Sequence, residues 1–248
     1  SIEVILADPL TAENAVRIAL LNNPGLQSSR SELGIAEADL SLKREFAELA
    51  DVELRAQIAD APNDARAYLF LGTYYDQLGQ FALAEPLLKK ALELSPHKQG
   101  IQLELGVSLL GQEKYDEALA VIKEAYDATP GFEEIEIAYA AALAYAGHRA
   151  ESDAILMKRY GTTLVDDGRI LRAYYESGQF DRVIAIWKQR VSSSPNEAQN
   201  HIGLAAAYLA AGSRAQAIAE IEIAMNLDEK FRRQGEAIIN EIRAGRNP

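Results

Sequence analysis

Hydrophobic residues recur along most of the chain at spacings of three and four, which is the periodicity of amphipathic helices. The helical stretches are short, and glycine-containing turns or prolines separate them. From Ala65 onward, the same order of large, small and turn residues returns about every 34 positions. The pattern therefore predicts an all-α chain that is built from repeated helix-turn-helix pairs.

The repeat predicts five units, which are 65–98, 99–132, 133–163, 164–197 and 198–231. Small residues occur where the two helices of a unit approach closely, namely at Gly72, Ala84, Gly106, Ala118, Ala140, Ala205 and Ala217. Glycines that favour a left-handed backbone are predicted to end first helices at Gly79, Gly147, Gly178 and Gly212. Prolines are predicted to close second helices at Pro96, Pro130 and Pro195.

The pattern resembles the 34-residue tetratricopeptide repeat. In the first unit the diagnostic residues are Tyr68, Leu71, Gly72, Tyr75, Ala84, Leu88, Ala91 and Pro96. The resemblance implies a right-handed α-solenoid. The third unit is three residues short, and Tyr160-Gly161-Thr162-Thr163 replaces its final proline, so the stack is expected to turn differently there. Residues 232–248 are predicted to be a C-terminal capping helix and tail.

Residues 1–64 are less regular and are predicted to form a helical N-terminal region with a degenerate repeat at its end. Within it, residues 9–40 resemble the first helical segment of outer-membrane efflux proteins, through Ala15–Leu20 and Asn22-Asn23-Pro24. No barrel strands follow, so channel function is not carried over. A short helical N-cap is the alternative interpretation.

Residues 65–244 also resemble the soluble repeat region of bacterial O-antigen ligase or polymerase-like proteins. The resemblance is carried by Gly161–Asp167, Tyr174-Tyr175, Phe180–Lys188 and Ala205–Ala210. It implies a repeat domain of the bacterial periplasm or membrane surface, in preference to the cytoplasm, that serves envelope polysaccharide assembly. It implies no catalytic residue in this segment, since the chemistry of such proteins belongs to their membrane part.

Composition and charge exclude several functions. The formal charge is −12 and the sequence has no basic run, which argues against nucleic acid as a partner. Cysteine is absent, and no apolar stretch reaches the roughly 18 residues that a membrane helix needs. The histidines lack metal-ligand spacing, and no phosphate-loop motif occurs. We therefore predict no catalytic residue, no metal site, no cofactor and no membrane insertion by this segment.

First helices line the concave wall of a tetratricopeptide solenoid, and the wall predicted here is largely apolar. Its residues are Arg66, Leu69, Thr73, Leu103, Val107, Leu110, Ile137, Ala141, Tyr145, Arg172, Tyr175, Ile202 and Leu209. An apolar groove suits an amphipathic helix or an extended apolar peptide. Two other occupants remain open, namely residues 1–49 and a second copy of the chain.

These observations predict a non-catalytic scaffold that binds a protein or peptide. The alternatives are a structural oligomerisation module that forms a homo-oligomer, and a periplasmic assembly adaptor. An enzyme with a site in residues 1–64 is a further alternative, although that region lacks clustered histidine, lysine and acidic residues.

Overall fold

A computed structural model of the chain describes residues 51–246, and these fall into two units with the boundary between Ala67 and Tyr68. In the first unit, residues 51–60 are helical and residues 62–63 form a turn. The predictions made for residues 1–50 lie outside the described residues. These are the efflux-protein likeness of residues 9–40 and the filling of the groove by residues 1–49.

Helices account for all regular secondary structure between residues 51 and 246. The helices from residue 65 onward are α1 (Ala65–Gln77), α2 (Phe81–Leu94), α3 (Gln99–Gly111), α4 (Tyr115–Ala128), α5 (Glu133–Tyr145), α6 (Arg149–Tyr160), α7 (Gly168–Glu176), α8 (Phe180–Ser193), α9 (Ala198–Ala210), α10 (Arg214–Leu227) and α11 (Arg232–Arg243). A short 3-10 helix, Glu229–Phe231, precedes α11.

In the second unit, consecutive helices pack as antiparallel pairs and each pair packs on the next. Helices α3 and α4 form one pair, α5 and α6 another, and α9 and α10 a third. Between pairs, α2 packs on α3, α4 on α5 and α8 on α9. Helix α11 packs on α10 and buries Ile239 and Ile242 against Ile221, so it caps the last apolar face. The predicted all-α solenoid with a C-terminal cap is confirmed.

Small residues allow the helices of a pair to approach closely. A Cβ atom on Gly106 of α3 would lie 2.4 Å from the Ile122 side chain of α4. At the turn between paired helices, Gly79, Gly147, Gly178 and Gly212 all have φ angles near +70° to +80°. This left-handed conformation is costly for residues that carry a Cβ, and the turn glycines were predicted for that reason.

The junction between the third and fourth helix pairs differs from the others. Helix α6 ends at Tyr160 and is capped by Gly161, whose φ is +67°. Helix α7 begins only after Asp167, whose carboxylate accepts a hydrogen bond from the Arg169 backbone N–H at 2.8 Å. In place of a first helical turn, Leu164 and Val165 pack into the core in a non-helical conformation. Helix α7 then packs on α5.

A buried polar network spans this junction. The Arg182 guanidinium of α8, 8% exposed, donates to both carboxylate oxygens of Asp153 on α6, with Nη2 to Oδ2 at 2.7 Å. It also donates to the Tyr174 hydroxyl at 3.0 Å and lies 4.9 Å from that ring's centroid. The Tyr174 hydroxyl donates in turn to the Thr163 carbonyl at 2.8 Å. The network therefore joins α6, α7, α8 and the non-helical segment.

Replacing Gly203 with alanine is expected to lower the free energy of unfolding by about 1 kcal/mol, because a clash of ~2 kcal/mol exceeds the gain in helix propensity. A Cβ atom at Gly203 would lie 2.3 Å from Cη2 of Trp187 on α8. Urea titration followed by the fluorescence of Trp187, the only tryptophan in the sequence, measures the change. Gly100 of α3 has open space at its Cβ position, so Gly100→Ala is the matched control. Equal effects of the two changes would contradict the prediction.

Candidate binding groove

A cavity of about 370 Å³ opens in the second unit, and its wall comes mainly from the first helices α3, α5 and α7. Six of the residues predicted for the concave wall line it, and they are Leu103, Val107, Leu110, Ala141, Tyr145 and Arg172. Val107 is half exposed, whereas Leu103 and Leu110 pack partly against the core around Ile122. The cavity therefore has an apolar floor that remains accessible at Val107.

The other predicted wall residues lie elsewhere. Thr73 of α1 donates to the Glu104 carboxylate at 3.3 Å, and Leu69 of α1 is half-buried. Ile137 is buried in the core, and Tyr175 packs edge-on against the Phe180 ring. Ile202 and Leu209 pack with the apolar cluster below the C-terminal cap. Arg66 belongs to the first unit, where its side chain pairs with Asp64 at 2.8 Å.

Charged residues surround the apolar floor, and acidic ones predominate. The cavity is lined by Glu104, Glu113, Glu134, Glu176, Arg169 and Arg172. The Arg169 side chain pairs with Asp167 at 2.9 Å and donates to the Glu134 backbone carbonyl at 3.4 Å. Within residues 51–246, Arg172 has no ion pair, and neither do the four glutamates. The groove thus presents a net negative charge to a ligand.

Two tyrosines stack within the cavity wall. The Tyr115 and Tyr145 ring centroids are 5.6 Å apart, and the ring planes differ by 17°. Burial raises the pKa of the Tyr115 hydroxyl, and the charges of Glu113 and Glu176 raise it further. Burial also raises the pKa of Tyr145, while nearby Arg172 opposes that shift. Both carboxylates and the guanidinium are therefore within electrostatic reach of the tyrosine pair.

Glu113 occupies an unusual backbone position. Its φ is +60°, and among residues 51–246 it is the only non-glycine residue with a positive φ. Glu113 lies in the turn between α3 and α4, and the corresponding turns of the other four helix pairs have glycine at this position. The left-handed conformation costs a non-glycine residue ~1 kcal/mol. Glu113 was not predicted as a site residue from the sequence, although it occupies the turn position at which the other four helix pairs have glycine.

Asp76 lies on α1, next to this wall. Both of its carboxylate oxygens are buried and lack a hydrogen-bond partner among the described residues. Burial raises the pKa of Asp76 to about 6; the nearby Ser108 hydroxyl opposes the shift only partly, because it donates its hydrogen to the Phe81 carbonyl at 3.2 Å, and the Glu104 charge adds to the shift. An ionised Asp76 is therefore a destabilising element at neutral pH.

Outside the groove, charged and histidine side chains make contacts that hold neighbouring elements together. A second cavity borders α4, α5 and α6, and its Arg159 is paired with Glu136 at 2.7 Å and with Glu133 at 3.2 Å. His201 is buried between the Glu220 carboxylate at 2.6 Å and the Pro195 carbonyl at 2.9 Å.

In the part of the chain that the structure describes, no group of three or more histidine, cysteine or acidic residues could hold a metal ion. No helix between residues 51 and 246 is long and apolar enough to cross a membrane.

Comparison with known proteins assigns the architecture. Residues 36–98 and 69–131 match the sequence family described as the tetratricopeptide repeat. The fold is a tetratricopeptide-repeat solenoid. A tetratricopeptide repeat protein from Parabacteroides merdae ATCC 43184 has a similar structure, with a TM-score of 0.57 and 16% sequence identity over 79% of each chain. Tetratricopeptide solenoids are generally non-catalytic protein-interaction scaffolds.

Two further proteins are similar to parts of this chain. YrrB, described as a tetratricopeptide repeat protein with an unusual peptide-binding site, aligns with 71% of this chain and 92% of its own at 15% identity, with a TM-score of 0.43. Human protein O-mannosyl-transferase TMTC1 is 34% identical over 87 residues, which are 35% of this chain and 10% of that protein. The chain thus spans a tenth of that relative's length. These comparisons do not show the likenesses to O-antigen ligases and efflux proteins, which stay predictions.

Proposed function

We propose that the cavity between α3, α5 and α7 binds a segment of a partner protein, with an apolar side chain of that segment packed on Val107. The half-exposed Val107 side chain is the observation that carries the proposal. Apolar surface at the bottom of a concave site releases water when a ligand covers it, which favours binding. The adjoining Leu103, Leu110 and Ala141 extend the apolar floor.

The charge of the groove restricts which kinds of partner segment are expected to bind. Four glutamates and two arginines line the cavity, and one of those arginines is already paired with Asp167. Complementary charge favours encounter and suppresses wrong partners. The bound segment is therefore proposed to be amphipathic, with apolar anchors and a net positive charge. This charge argument favours a basic partner over a second copy of this acidic chain.

The Val107→Gln change is expected to weaken peptide binding about tenfold, because it places a polar group where roughly 1.4 kcal/mol of apolar burial is expected. A display library of random 12-residue peptides, selected on the wild-type chain, supplies the probes. The affinities of the enriched peptides are then measured by fluorescence anisotropy. Ile223→Gln is the matched control, since Ile223 is an exposed aliphatic residue of α10 that lies outside the cavity.

The outcomes separate the possible occupants. Failure to enrich any peptide, or equal affinities for the Val107 and Ile223 variants, would overturn the proposal. Light scattering on the same variants tests self-association. A dimer that Val107→Gln converts to a monomer would show that the groove binds a second copy of the chain instead.

A narrower proposal concerns the class of enzyme beside which this scaffold acts. The name of the human relative is that of a mannose transferase, and residues 65–244 resemble repeat regions of O-antigen ligase-like proteins. The first likeness supports a role beside a sugar-transferring enzyme, and the second supports placing that enzyme in the bacterial envelope; neither assigns a catalytic residue to this chain. Binding of synthetic basic segments from such enzymes, with loss in the Val107→Gln variant, is the test; an absence of binding would refute it.

A further inference from the structure

We propose that Tyr115, Tyr145, Glu113 and Glu176 form a subsite that binds the cationic side chain of a lysine or arginine in the bound segment. The inference rests on the proposed function and specifies one ligand group that the groove recognises. It adds a charge-selective contact to the apolar contact at Val107.

The geometry of the tyrosine pair suits a cation. All four side chains line the same cavity, and the rings stack with centroids 5.6 Å apart. Ring faces attract ammonium and guanidinium groups, most strongly where water is partly excluded. Within residues 51–246, the cation-ring contacts lie elsewhere, such as Arg190 over Trp187, and no lysine or arginine lies over Tyr115 or Tyr145.

The two carboxylates supply the charge that a cation requires. Glu113 and Glu176 come from different helix pairs, and both act electrostatically on the Tyr115 hydroxyl. Neither has an ion-pair partner in the described part of the chain. Arg172 lies near Tyr145 and carries the opposing charge, so the subsite as a whole remains negative. A ligand cation would be paired by both carboxylates and stacked on a ring.

The backbone at Glu113 supports a role in binding. The four other turns of this kind use glycine, which adopts the left-handed conformation without steric cost. A glutamate in the same conformation is disfavoured, and such outliers cluster at ligand sites, where the side chain serves a purpose. Here the strained residue is also one that lines the cavity.

The Glu113→Gly variant tests the subsite without threatening the fold. Glycine relieves the left-handed strain, so this variant is expected to resist urea at least as well as the wild type. The probes are the enriched 12-residue peptides, each also made with its lysine replaced by norleucine or its arginine by citrulline. On the wild-type chain, the neutral peptide is expected to bind roughly tenfold more weakly. On Glu113→Gly plus Glu176→Gln, where the tyrosine rings remain, the same replacement should change affinity by only about two- to threefold.

The matched control is Glu117→Gln plus Glu236→Gln, which removes two exposed acidic groups that lie outside the cavity. It should preserve the tenfold preference for the charged peptide. The subsite is refuted if the enriched peptides lack basic residues, or if loss of the cation costs the same in all three chains. Binding that depends on Val107 but not on peptide charge would refute only the cation subsite. Failure to enrich any peptide would refute the proposed function as well.

Discussion

Replacing Asp153 with alanine is expected to lower the free energy of unfolding by about 3 kcal/mol, because it leaves a buried guanidinium without its counter-charge. Arg182 is 8% exposed and directs two hydrogen bonds to the Asp153 carboxylate. A guanidinium stays protonated in proteins even without a counter-charge, so Arg182 cannot escape the penalty by losing its proton. Among the described residues, the Tyr174 hydroxyl would remain the one side-chain hydrogen-bond partner of the guanidinium.

Urea titration followed by Trp187 fluorescence reports on this change directly, since Trp187 and Arg182 share helix α8. The matched control is Asp181→Ala, which removes an exposed ion pair with Arg149 at 3.8 Å. Such a pair is worth at most about 1 kcal/mol. Adding Arg182→Met to Asp153→Ala should recover part of the loss, because the variant no longer buries an unpaired charge. A cost below ~1 kcal/mol for Asp153→Ala would contradict the assigned network.

Replacing Asp76 with asparagine is expected to stabilise the chain at pH 7 by about 2 kcal/mol, because the ionised carboxylate is buried without a hydrogen-bond partner among the described residues. The pKa of Asp76 is about 6 in the folded chain, against an ordinary value of 3.8. The folded state therefore holds the proton more tightly than the unfolded state. The resulting stability is fully present below about pH 4 and is lost as the pH rises through 6.

Urea titrations at pH 4 and pH 7 measure the stability difference between Asp76→Asn and the wild type. That difference should be small at pH 4 and should grow toward pH 7. Glu85→Gln provides a control of opposite sign, because Lys114 and Lys89 lower the pKa of Glu85 to about 2. Its ionised form is stabilising at pH 7, so its replacement should destabilise the chain there. An Asp76→Asn effect that does not vary with pH would disprove the buried, unpaired carboxylate.

The floor of the groove could be predicted from the sequence because the helix-pair repeat fixes which face of each first helix is concave. Leu103, Val107, Leu110 and Ala141 were found in this way, and all four line the cavity. Ile137 and Tyr175 occupy the same kind of position, yet Ile137 is buried and Tyr175 lies against Phe180. Ile137 shares a core cluster with Val165 of the short junction, and Tyr175 lies on α7, which packs directly on α5. Repeat spacing alone carries no information about that altered packing.

The charged part of the groove was harder to predict. Glu113 lies in a turn, and the repeat pattern predicts only that the chain reverses direction at such a turn. Its contribution to the cavity depends on where the neighbouring pairs place Tyr115, Tyr145 and Glu176, which come from three different helices or their ends. Such convergence depends on distances between helices that are far apart in sequence.

By itself, the sequence determined the all-helical solenoid, because helix periodicity, small residues at close contacts and turn glycines act over a few neighbouring residues; the five unit boundaries and the apolar first-helix wall stay predictions. Only the tertiary structure decided that Arg182, Asp153 and Tyr174 form one buried network. It also decided that Asp76 is buried without a hydrogen-bond partner among the described residues, and that two tyrosines and two glutamates meet in one cavity. The physical reason is that burial and charge pairing depend on the packing of one helix pair on the next, which no single repeat encodes.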